Sequence, residues 1–144
     1  MDNTTIFYIS LLCMPMVRGK AMIYHITPVS KPRQTRSDKW KKRPCVMKYR
    51  AFADECREQG IIIPNHGAHI VFQMPMPKSW SKKKKEEMDG MPHQQRPDVD
   101  NLAKALMDAV LKEDCCVWDV RITKEWGYCA SIEINIPLYE LQPS

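Results

Sequence analysis

Two aspartates one residue apart, Asp98 and Asp100, lie in the run Arg96-Pro97-Asp98-Val99-Asp100-Asn101-Leu102-Ala103-Lys104. Carboxylates this close repel each other unless something positive sits between them. Mg2+ suits that place, because it is a hard ion held by one or two carboxylates with waters and phosphate oxygens. Lys104 follows Asp100 by four residues, so the two share one face of a helix. A lysine there can contact a scissile phosphate or balance transition-state charge. A second acidic pair, Glu113 and Asp114, comes just past the same helix. That helix spans ~20 Å, so Asp114 can approach Asp98 only if the chain turns back through the sheet or a long loop. The same side chains also have an ordinary structural use. Asp98 would cap the helix, Asp100 would favour its first turn, and an Asp100–Lys104 pair would add ~0.3–1 kcal/mol. Spacing alone leaves both uses open.

The elements that must position these residues follow from periodicity. Met22 to Ser30 alternates weakly and ends near Pro28, which predicts a first strand. Pro44 to Gln59 predicts a helix, with Pro44 in its first turn, Tyr49, Phe52, Ala53 and Cys56 on one face, and Gly60 as C-terminal cap. Ala68 to Met74 is an apolar run of strand type. Met76 to Gln95 predicts a mobile surface loop with one helical turn at Ser81 to Met88. Asp98 to Leu111 predicts the second main helix, apolar at Leu102, Ala103, Leu106, Ala109 and Val110. Cys116 to Glu125 and Tyr128 to Pro137 predict two strands around a turn at Trp126-Gly127. In the last, Ile132, Ile134 and Ile136 face one way, Ser131, Glu133 and Asn135 the other. The order β-α-β-α-β-β implies a single α+β domain, a mixed sheet with both helices on one face.

Length and composition agree with that size. The chain has 144 residues, 44% apolar and 27% charged, and a net charge of +5. Such a chain buries a core without staples, and the charge favours an anionic partner. Two segments are strongly basic, one with Lys31, Arg33, Arg36, Lys39, Lys41 and Lys42 and the other with Lys82, Lys83, Lys84 and Lys85. Alone, each is a solubilising face; flanking an acidic site, they would offset its repulsion of a polyanion. Trp40 and Trp80 among them would stack on bases or pack in the core. The six cysteines contain no CxxC pair and read as reduced thiols, and the four histidines show no ligand pattern. Ile6 to Val17 is apolar but shorter than the ~20 residues of a membrane span. Residues 1–21 read either as a peripheral strand or helix or as an N-terminal extension, and the expected division is an extension at 1–21 and the working domain at 22–144.

The run RPDVDNLAKALMDAV resembles the RusA family of Holliday-junction resolvases, whose main helix opens with P/R-D-x-D-N-L-x-K-x-x-x-D-A-L. Asp98, Asp100, Asn101, Leu102, Lys104, Asp108 and Ala109 match it, with Val110 at the final leucine. The family's later doublet, often D-D-x-Q-V, is Glu113-Asp114-Cys115-Cys116-Val117 here, so Glu113 and Cys116 depart from it. Ser37-Asp38-Lys39-Trp40, Arg43-Pro44 and Ser79-Trp80-Ser81-Lys82 are similar to phage and prophage members. The resemblance covers Met22 to Pro137. It implies a RusA-like fold and a structure-selective endodeoxyribonuclease of DNA recombination and repair. It implies that Asp98, Asp100 and Asp114 are catalytic and hold Mg2+ or Mn2+, that Lys104 assists, and that Asn101 and Glu113 support them. It further implies a homodimer on four-way junction DNA, in the cytoplasm of a bacterial or phage-infected cell, with no membrane and no small-molecule cofactor. The two basic segments would bind the phosphates of that DNA. The alternative is a non-catalytic DNA-binding protein that retains the fold.

Overall fold

The computed structural model describes residues 20–33, 36 and 43–137. The expectations for the extension before residue 20, for Lys39, Trp40, Lys41 and Lys42, and for the tail after residue 137 lie outside the described residues. The elements are β1 (Lys20–Tyr24), α1 (Pro44–Glu58), β2 (Ala68–Pro75), α2 (Lys82–Met88), α3 (Val99–Val110), β3 (Val120–Gly127) and β4 (Ser131–Ile136), with a 3-10 turn at Asp114–Cys116. They form one mixed four-stranded sheet in the order β1-β4-β2-β3. Only β2 and β3 run parallel; β4 is antiparallel to both β1 and β2. The chain is a small α+β domain, as its element order predicts.

One sheet face carries the core. The register sets Ile70 beside Ile134 and Ile122, and Phe72 beside Ile132. Ile70, Phe72, Ile132 and Ile134 are fully buried, and they share one cluster with Tyr49, Phe52 and Cys56 of α1 and Leu102, Leu106 and Ala109 of α3. Both long helices therefore cover the same face. Each fully buried aliphatic side chain here contributes ~1.5–3 kcal/mol by leaving water. The opposite face is knitted by polar pairs: His69 to Thr123 at 2.7 Å, and Gln73 Nε2 donating to Glu125 at 3.1 Å.

α1 starts at Pro44 and stops in a two-bond cap. Gly60 N–H donates to Arg57 O and Ile61 N–H to Cys56 O, at 3.1 and 3.3 Å. Gly60 holds φ +67° there, a conformation that costs glycine least. Ile61 then drops into the core.

Several boundaries differ from the sequence reading: β1 begins at Lys20 rather than Met22 and β4 at Ser131 rather than Tyr128, and four further differences have a visible cause. β1 ends at Tyr24, because Ile26 N–H turns back to Tyr24 O. Ser81 to Met88 is a helix of seven residues, capped by the Ser81 side chain accepting from Lys84 N–H at 3.2 Å. β3 begins at Val120 rather than Cys116, since the intervening residues first make the 3-10 turn and then bond the 65–67 loop, Trp118 N–H to Asn65 O. Finally, Trp126 and Gly127 belong to β3 and the turn follows them. Trp126 is buried, 4.7 Å from the Trp80 ring and 4.2 Å from the His93 ring. Gly127 is small for packing reasons: a Cβ there would lie 2.9 Å from Gln73 Oε1. Part of the expected surface loop is tied to the sheet. Trp126 N–H donates to Met91 O, His93 N–H to Lys124 O, and Pro92 bridges Glu125, which covers the outer edge of β3.

Candidate active site

The apolar stripe Leu102, Ala105, Leu106 and Ala109 pins α3 to the core, so its start is held while its polar side faces out. Asp98 is the N-cap residue with extended backbone, φ −71° and ψ 148°; its carbonyl accepts from Leu102 N–H at 3.1 Å, but its side chain makes no cap hydrogen bond. Asp100 lies in the first turn. Both carboxylates are exposed, and among the described residues neither has a hydrogen bond or ion pair. The two ordinary uses, a side-chain cap and an Asp100–Lys104 pair, are thus not formed.

Lys104 turns the other way. Its Nζ donates to Asp114 and lies 3.4 Å from Asp108, which also takes the ammonium of Lys31. The result is a chain of alternating charge, Lys31, Asp108, Lys104 and Asp114. The hydrogen bond from Lys104 holds Asp114 below the usual carboxylate range. The bond to Asp114, and then that to Asp108, raises Lys104 above its ordinary value. Asp114 reaches this position quickly. α3 ends at Leu111, where ψ turns to 135°, and the 3-10 turn capped by Glu113 doubles back onto the helix. The expected return to Asp98, through the sheet or a long loop, is not made: this short turn brings Asp114 to Lys104 instead.

Asp98 and Asp100 open onto a cleft of about 860 Å³ between the start of α3 and β3, where Arg96, Arg121 and Lys124 add positive charge. A second cleft of about 670 Å³ lies across the Arg96–Asp98 ridge, lined by Asn101 and Lys48 among others. Asn101 is exposed at that edge. Lys124 also braces the approach to α3, donating to Gln95 O and, at 2.6 Å, to Pro97 O. The Arg96–Pro97 bond there is cis.

The structure therefore brings Asp98 and Asp100 to one cleft, and Asp114 to Lys104, without gathering the three carboxylates into one ligand set. Among the described residues, the only three acid, thiol or imidazole groups with donor atoms within 4.8 Å of one another are Glu113, Cys115 and Cys116. Of the expected phosphate contacts, Lys31 is half-buried against Asp108, whereas Arg33, Arg36, Lys82, Lys83 and Lys84 are exposed. Lys85 is half-buried and Lys84 lies 4.5 Å from the Trp80 ring centroid. Sequence reasoning placed Asp108 in the family motif without giving it a role, and missed Arg121 and Lys124. Asp108 had a local signal, four residues after Lys104; the two strand residues had none, since only tertiary packing brings β3 to the cleft at the helix start.

A family model described as Endodeoxyribonuclease RusA matches residues 24–137. No curated protein gives a significant match. The match spans every described element but the first residues of β1, and it contains both aspartates, Lys104 and Asp114. The chain belongs to the RusA family of endodeoxyribonucleases.

Proposed function

We propose that this protein is a metal-dependent, structure-selective endodeoxyribonuclease that resolves Holliday junctions by paired nicks, with Asp98, Asp100, Lys104 and Asp114 as its working groups. The observation that carries this reading is the pair of exposed aspartates. In the matched family's core segment, Asp98 and Asp100 stand without protein partners beside a cleft edged by Arg96, Arg121 and Lys124. An acidic pair surrounded by cations suits a polyanion that must approach carboxylates.

The donor chemistry fits a hard ion. Asp98 and Asp100 offer carboxylate oxygens to Mg2+ or Mn2+, and Asp114 would add a third once Lys104 releases it. When bound, the ion supplies a nucleophile at neutral pH and offsets charge on the phosphoryl oxygens. The chain's own groups do the rest. Arg96, Arg121 and Lys124 neutralise the approaching backbone, Lys104 holds Asp114 ionised and can pass its positive charge to the scissile phosphate, and Asn101 steadies the helix start. Glu113 sets the turn that presents Asp114. Arg33, Arg36 and Lys82 to Lys84 extend the phosphate track.

Further expectations go with this reading. Two copies related by a twofold axis would nick opposed strands of a four-way junction. The setting would be recombination and repair in the cytoplasm of a bacterial or phage-infected cell; Lys20 and Ala21 pair with β4, so an extension outside the nuclease domain would end before them rather than at residue 21. No helix among the described residues is long and apolar enough to cross a membrane.

The test uses purified full-length protein, a labelled mobile four-way junction and a matched linear duplex, with Mg2+ or with EDTA. Paired nicks on the junction that need Mg2+ and disappear in Asp100→Asn are expected. Equal cutting of duplex and junction would overturn the resolvase reading. Tight junction binding without nicks, under Mg2+ or Mn2+ at several salt concentrations, would favour a DNA-binding protein that keeps only the fold.

A further inference from the structure

Just beyond α3, two thiols that the nuclease chemistry does not use meet a carboxylate. A carboxylate oxygen of Glu113 and the Sγ atoms of Cys115 and Cys116 lie within 4.8 Å of one another, and all three residues are exposed. The turn explains the grouping. Side chains three apart eclipse in a 3-10 turn, which puts Glu113 and Cys116 on one side, and Cys116 N–H donates to Glu113 O at 3.5 Å. Asp114 stays out of the group, because Lys104 holds it against α3.

Two sulfurs and one oxygen form a different donor set from Asp98 and Asp100. Thiolates select soft or borderline cations, whereas Mg2+ prefers oxygen alone. A tetrahedral Zn2+ site has Zn–S of about 2.3 Å and Zn–O of about 2.1 Å, so its donors sit roughly 3.5–3.8 Å apart. Closing from within 4.8 Å to that spacing takes only side-chain rotation, and exposed side chains are free to rotate.

We propose that Glu113, Cys115 and Cys116 bind a thiophilic divalent cation of the Zn2+ class through two thiolates and one carboxylate, with water in the fourth position. On binding, each thiol loses its proton to solvent and two sulfur–metal bonds form, with no change of oxidation state. The ion would clamp the turn that presents Asp114, which lies between Glu113 and Cys115 in the chain. The inference stands apart from the nuclease reading, because binding is read without DNA.

Co2+ titrated into the reduced full-length protein is the test, since thiolate ligation gives a charge-transfer absorption that oxygen ligation does not. One Co2+ per chain with that band is expected, displaced by Zn2+ and not by excess Mg2+. Cys115→Ser/Cys116→Ser should weaken binding by more than about 100-fold, beyond what loss of an outer-sphere partner costs. Cys45→Ser/Cys129→Ser, which removes two other exposed thiols, should bind as the wild type does. Circular dichroism and thermal melts establish that each variant is folded. Absence of the band in folded, reduced wild type would overturn the proposal. So would a band that survives Cys115→Ser/Cys116→Ser or is lost in Cys45→Ser/Cys129→Ser.

Discussion

A carboxylate at a helix start ordinarily accepts a backbone N–H, and its removal costs ~1 kcal/mol. Asp98 makes no such bond, and Asp100 has no partner among the described residues. Asp98→Asn should therefore leave the melting curve nearly unchanged, within about 0.5 kcal/mol, while junction nicking falls by about 100-fold or more, the scale of losing several kcal/mol of charge stabilisation. A large loss of stability with proportionate loss of nicking would return Asp98 to a structural role. The motif holding these residues was legible because it is contiguous. What Lys104 touches was not, because its choice of Asp114 over Asp100 depends on how the chain folds back after Leu111. His93 is a residue whose meaning appears only in three dimensions. It is buried against Trp126, and its Nδ1 has no hydrogen-bond partner. Burial, then the charge of Lys124, lowers its pKa below the ordinary 6.5. Below pH 6.5 the unfolded chain thus binds more protons than the folded one, so stability is present above that value and drains away as pH falls toward the folded pKa. His69 has the same sign, from burial and then Arg121. Thermal melts should show a lower midpoint near pH ~5 than near pH ~7.5, with a shallower dependence in His93→Gln. An unchanged slope in that variant would exclude His93 as a source.

At the scale of elements, the site is the start of α3 set beside β3, and the two are joined by one side chain. Lys124 points from β3, on the face shared with Phe72, and donates to two carbonyls just ahead of Asp98. Lys124→Met keeps the stem and removes both hydrogen bonds, each a charge-assisted bond worth ~1.5–3 kcal/mol. The expected result is a loss of about 1–3 kcal/mol in chemical denaturation, after allowing for solvation of a half-exposed site, and a nicking rate reduced at saturating junction. Lys124→Arg should recover part of both. If nicking were unchanged in Lys124→Met, the brace would have no part in placing Asp98 and Asp100. Much of the element order could be read from periodicity, because α1 and α3 each bury one apolar stripe and β4 alternates cleanly. The boundaries that failed share a cause. Trp126-Gly127 has the composition of a turn, yet the core needs the indole between Trp80 and His93, and Gly127 must clear Gln73. Cys116 to Asp119 has strand-like composition, yet Cys116 and Val117 donate back into the 3-10 turn, to Glu113 O and Asp114 O, and Trp118 and Asp119 bond the 65–67 loop rather than β2. Tertiary demand overrode local preference in both places.

Over the whole molecule, the question is how a chain with an exposed acidic pair would hold DNA at all. A net charge of +5 gives a favourable field, but placement decides which cations act. Counting basic residues along the sequence puts Lys31 with Lys82 and Lys83; the fold separates them. Lys31 is spent on Asp108, whereas Lys82 and Lys83 project from the exposed helix α2. Lys84 leans on Trp80 and Lys85 is half-buried. Each phosphate neutralised contributes about 0.9 to the slope of log affinity against log salt on B-form DNA. Lys82→Ala/Lys83→Ala should therefore flatten that slope by about 2. Lys31→Ala should leave the slope unchanged and instead cost stability, since Asp108 loses a partner in a half-buried position. Both are measured on a four-way junction across a series of KCl concentrations, in an Asp100→Asn background so that the DNA stays whole. A slope unmoved by Lys82→Ala/Lys83→Ala would place the DNA elsewhere than across α2, leaving the basic rim of Arg96, Arg121 and Lys124 to carry the phosphate contacts. A slope reduced by Lys31→Ala would mean that DNA binding breaks the Lys31–Asp108 pair, and that the charge chain to Asp114 is remade when the junction docks.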